Sequence, residues 1–179
     1  MSYKIRHGNN QRFVLSLGLC MILLLFLAKA SFAEVSVTYD RFKNTTTVFL
    51  LSKVKIPGAF KNLSELMLEG NYPGKNGGIT EKIRLTFLIA SASGWQYVHC
   101  HTVDCLVDDK PVKLPPFKHF GKVASGLRVV ELIYADMNLN IIKKLSKHRK
   151  VEFRICDTEF ALGELQIRDI RDFVKHFNE

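Results

Sequence analysis

The chain has 179 residues, 47% of them hydrophobic, with 26 basic and 17 acidic side chains and four cysteines. That is the composition of a folding chain, and it excludes a disordered polyelectrolyte. Lys4, Arg6, Arg12 and Lys29 fall in the first 33 residues, which hold no acid, so residues 34–179 keep only 22 basic against 17 acidic side chains. We therefore expect no nucleic-acid partner.

The basic start, the uncharged apolar run Phe13–Ala28 and the small residues Ala28–Ala33 have the three-part layout of a secretory signal peptide. Sixteen residues rise ~24 Å as a helix, short of the ~30 Å hydrocarbon core, so a retained anchor is the alternative. Cleavage after Ala33 leaves residues 34–179 as a single globular domain in the periplasm or outside the cell.

From Glu34 to Phe42 apolar and polar residues alternate, the period of a half-buried strand. Lys43-Asn44 is turn chemistry, and Thr45–Leu51 is rich in β-branched residues, which predicts a hairpin. Leu63–Tyr72 suits a strand or a short helix, and residues 71–78 form a glycine-rich loop. Thr80–Ala92 alternates most clearly and is expected to be a central strand, with Ser91–Gly94 turning into a strand from Trp95 to Cys100. Asp108–Pro111 predicts a second hairpin, Lys118–Gly126 a polar loop, and Leu127–Ala135 a further strand. The period then changes. Asn138 can cap a helix running to about His148, Val151–Ile155 and Glu159–Leu162 flank a tight turn, and Glu164–Phe177 reads as an amphipathic helix with Leu165, Ile170, Phe173, Val174 and Phe177 on one stripe. The expected fold class is α+β: a mostly antiparallel sheet or sandwich of about eight strands with two C-terminal helices, the last packed on the sheet.

The stretches Tyr39–Val48, Leu106–Pro111 and Lys150–Phe173 resemble those of a group of uncharacterised exported bacterial proteins, which carry a small residue in place of Cys156. The resemblance implies a bacterial envelope protein and supplies no activity.

Chemistry concentrates between Trp95, the only tryptophan, and Pro111. His99 and His101, separated by one residue, would share one face of a strand, and with Cys105 they offer ligand types suited to zinc or copper. Cys100 would then point the other way, while His119 and Asp104 could complete a set. The alternatives are solvent-facing histidines with core cysteines, or a disulfide. For the disulfide the favoured pair is Cys100 with Cys105 across a turn, leaving Cys156 buried. No nucleophile elbow, zinc-protease helix motif or phosphate loop is present in the sequence. The basic run Lys143–Lys150 is either a solvated helix end or a contact for anionic lipid. The expected role is a non-enzymatic binding or envelope-associated module, the alternative a periplasmic metal-binding protein.

Overall fold

Antiparallel pairing accounts for every strand ladder among the described residues. The computed structural model of the protein describes residues 34–59, 63–75, 77–80, 82–124 and 128–177. The expected signal segment, 1–33, lies outside them. The strands are β1 (Glu34–Asp40), β2 (Thr45–Lys53), β3 (Ser64–Pro73), β4 (Ile83–Ser91), β5 (Val103–Val107), β6 (Lys110–Pro111), β7 (Lys118–Ala124), β8 (Arg128–Met137), β9 (Val151–Ile155) and β10 (Thr158–Leu162). Two helices follow β8 and β10: α1 (Leu139–Lys147) and α2 (Glu164–Val174). The fold is α+β, with a six-stranded sheet ordered β1-β2-β3-β4-β8-β7 and a four-stranded sheet ordered β10-β9-β5-β6. Among the described residues no helix is long and apolar enough to cross a membrane.

Local chemistry explains the first hairpin. The Asp40 carboxylate accepts from the backbone amides of Phe42 and Lys43 (2.9 and 3.3 Å), and Asn44 takes the left-handed conformation at φ 48° that closes the turn. Asp108 and Asp109 sit at φ 48° and 62°, making a two-residue turn between β5 and β6. This hairpin is tighter than expected, because Lys110 and Pro111 already belong to the returning strand.

One face of the six-stranded sheet supplies most of the core: Val48 and Leu50, Leu66 and Leu68, Leu85 and Phe87, and Ile133 alternate inward and are fully buried. Phe87 joins the two sheets, its ring 5.1 Å from Phe153 and 5.4 Å from Phe160. At the β1–β3 end the same face is covered by α2, whose Ile167, Ile170 and Phe173 are buried. Asp169 adds a polar tie there, accepting from the Ser52 hydroxyl at 2.8 Å. The helix is shorter than its apolar pattern suggested. It stops at Val174, and Phe177 reaches the sheet from the following turn, seated where a Cβ on Gly70 would stand. Leu165, expected on the stripe, is instead 57% exposed. The Asn138 side chain caps α1 as anticipated, accepting from Asn140 N at 2.8 Å.

Two expectations fail. Lys118–Ala124, expected as a loop, is the edge strand β7; an edge tolerates the lysines and glycine that argued against a strand, since only one of its sides is paired. Trp95–Cys100, expected as a strand, is a series of bends after Gly94 at φ 101°.

Candidate functional site

The β8 strand carries Val129, Glu131, Ile133, Ala135 and Met137 on its buried side, and Glu131 is the one charged member. A carboxylate with no solvent exposure needs donors to replace the water it has lost. Three are supplied. Gln96 N donates to Oε2 at 2.9 Å, Tyr97 N to Oε1 at 2.9 Å, and His119 Nε2 stands 3.0 Å from Oε1. This is why the segment after Gly94 bends instead of pairing: its amides are aimed at a side chain and not at a neighbouring strand.

The donors come from both sides of the sheet edge. Gly121 on β7 lies opposite Glu131 in the ladder, and His119 lies two residues before it on the same inward face. Lacking a Cβ, Gly121 leaves room for the Trp95 indole, which occupies the space a methyl would fill. Trp95 meets His119 edge to face at 6.2 Å and remains 45% exposed. On the other side the His101 ring runs beside His119 at 6.1 Å and 26°. His101 Nδ1 is buried and has no hydrogen-bond partner. His119 turns Nε2 to Glu131, so Nδ1 is its ring nitrogen directed elsewhere. The site therefore combines an exposed indole face with two imidazole nitrogens, at Nδ1 of His119 and of His101.

A disulfide holds the segment from its far end. Cys100 is bonded to Cys156, 56 residues on in the β9–β10 turn, with Cα atoms 6.0 Å apart. Cys156 takes a left-handed conformation at φ 54°, and its amide donates to Thr102 O at 3.0 Å. Tyr97 makes a third tie, its hydroxyl 3.3 Å from that of Thr158. Beside the crosslink is a cleft of about 510 Å³ lined by His99, His101, Thr102, Leu114, Pro115 and Phe117 among others.

The expected pair, Cys100 with Cys105, does not form. Cys105 lies on β5 with its side chain in the core opposite Phe153, whereas Cys100 precedes the strand and meets the adjoining hairpin turn. Burial pushes the Cys105 thiol up to about 12, with a small opposing pull from Lys144. At neutral pH it is therefore held as the thiol.

These facts also separate the ligands of the expected His99, His101 and Cys105 metal set. Cys105 is inside the core, Cys100 is consumed by the disulfide, His99 is exposed, and only His101 joins the cluster. Among the described residues no group of three or more His, Cys, Asp or Glu side chains is placed to hold a metal ion. Sequence reasoning missed Glu131 as the organising residue. The signal was present: a glutamate at an inward position of an otherwise apolar alternation.

The basic run around α1 is partly engaged within the fold. His148 Nδ1 lies 2.6 Å from Asp108, Lys150 pairs with Asp109 and Glu152, and Arg171 from α2 donates to Ser146 O at 3.1 Å. His148 and the amide of Lys150 together hold the Asp108 carboxyl below its usual range. The residues of this run are thus spent in part on joining α1 to the β5–β6 turn. In comparisons with known families and with curated proteins, no family model and no protein matches the chain.

Proposed function

We propose that the protein is an exported bacterial domain, periplasmic or secreted, acting as a non-enzymatic binding or envelope-associated module that meets its ligand at Trp95, His101 and His119. The observation that carries this reading is the Cys100–Cys156 crosslink, which bolts the site's backbone in place and belongs to an oxidising compartment. The signal-like first 33 residues agree with it. Binding is favoured over thiol chemistry because, among the described residues, one cysteine pair is oxidised and the one other thiol, Cys105, is buried and neutral. The ligand fitting this surface has a flat or apolar face for the indole and a hydrogen-bond donor for an imidazole nitrogen.

Intact mass spectrometry of chain exported under its own leader tests the reading. The expected product begins near residue 34, has lost about 2 Da to one disulfide, and takes a single alkyl group only after unfolding. Full-length chain with three reactive thiols in the mature region would sink it. Trp95, the only tryptophan, reports ligand directly through its fluorescence.

One arrangement favours a second reading as a metal-binding protein. A histidine with one ring nitrogen hydrogen-bonded to a carboxylate, as His119 Nε2 is to Glu131, is set up to ligate through its other nitrogen. His101, beside it, would be the partner ligand for zinc or copper, in place of the cysteines. Gel-filtered protein retaining one equivalent of either metal, and losing it in His101→Ala, would support this; no retained metal would end it.

A further inference from the structure

The outer face of the six-stranded sheet is unlike the wet face of an ordinary antiparallel sheet. Its register sets Leu51, Met67, Thr86, Tyr134 and Lys118 side by side across five strands. The next row is Lys53, Glu65, Leu88, Leu132 and Phe120. Leu51 is 38% and Phe120 54% exposed, and Met67, Leu88, Leu132 and Tyr134 are half-buried. The charges on this face are ordered by strand. Glu65 and Glu69 stand on β3 and Lys118 and Lys122 on β7, while between them β4 and β8 carry Leu88 and Leu132 together with the paired Arg84 and Asp136.

We propose that this face docks a second copy of the chain, sheet on sheet, about a twofold axis parallel to the strands and midway between β4 and β8. The strand order carries the argument. That axis lays β8 of one copy over β4 of the other, so Leu132 meets Leu88, and it lays β7 over β3, so Lys118 and Lys122 fall among Glu65 and Glu69. The face is self-complementary because Glu65 and Glu69 on β3 mirror Lys118 and Lys122 on β7, and Arg84 on β4 mirrors Asp136 on β8, about the β4–β8 boundary. The four strands that overlap, β3, β4, β8 and β7, at ~4.8 Å spacing and about 30 Å of length give roughly 580 Å² per copy, the size of a weak interface below the ~800 Å² of a standard one. The surface is separate from the Trp95 site, which lies on the opposite face, so dimerisation leaves both ligand sites open.

Sedimentation equilibrium of the exported protein from about 1 to 100 µM tests the proposal. The expected mass rises with concentration toward that of two chains. Leu132→Lys should give single chains while keeping the circular dichroism and Trp95 fluorescence of the parent. Lys118→Glu, on an exposed edge where folding is not at stake, should weaken the dimer at least tenfold, and adding Glu65→Lys should recover it. A single-chain mass throughout, whether or not the protein then sediments with anionic liposomes, would overturn the proposal. So would a dimer indifferent to both Leu132→Lys and Lys118→Glu.

Discussion

Helix α2 and the Trp95–Thr102 segment lie on the same face of the same sheet, one over β1–β3 and the other over β8–β7, yet they are held by opposite means. The helix buries an apolar stripe, Ile167, Ile170 and Phe173, and adds one polar tie from Asp169 to Ser52. Burying such side chains stabilises by about 1.5–3 kcal/mol each, so the helix holds its place through area. The segment has little regular structure. It is fixed at points: two amides on Glu131, a hydroxyl contact from Tyr97 to Thr158 and a disulfide at Cys100. Area makes a robust lid. Point contacts make a shaped surface, and that is where the imidazoles and the indole are presented.

The comparison can be broken at its strongest point first. Phe173→Ala should cost about 3–5 kcal/mol in urea unfolding, because it empties a fully buried site under α2. A fully stable Phe173→Ala variant would refute the claim that the helix is held by area. Next, Cys100→Ser with Cys156→Ser should cost about 2–4 kcal/mol, since the crosslink spans a long loop. In hydrogen exchange the Gln96 and Tyr97 amides should then lose protection while those of α2 keep theirs. Equal loss in both regions would mean that the two lids are not independently held.

Glu131→Gln should cost about 1–3 kcal/mol, because the amide keeps the shape but its NH2 cannot accept from the backbone N–H it then faces. A change in Trp95 emission should accompany it. The smallest effect is expected from Gly121→Ala. Its new methyl would push aside the half-exposed indole, at a cost of about 1 kcal/mol or less, with a change in Trp95 solvent quenching as the readout. Unchanged quenching would place the indole elsewhere.

The legibility of the two regions differs for the same reason. Residues of α2 announce themselves by recurrence at helical spacing, as did the strands β1, β4 and β8 by alternation of two. A period is a property of the chain itself. The exceptions are informative. Leu165 fits the stripe by spacing but lies outside the contact, and Phe177 lies beyond the end of the helix yet is buried through Gly70. β7 was hidden because edge strands carry the polar residues of loops.

The sequence by itself determined the α+β class and the antiparallel style of the sheet through the periods of its segments, and the first hairpin turn at Asn44 and the Asn138 helix cap through interactions between residues close in the chain. Only the tertiary structure decided that Cys100 pairs with Cys156 and not Cys105, that Trp95–Cys100 is not a strand, and that His101, His119 and Glu131 meet. These contacts join residues 12 to 56 positions apart and come from no period, so nothing local in the chain encodes them. They exist because β8, β7 and the β9–β10 turn are brought together by the packing of two sheets.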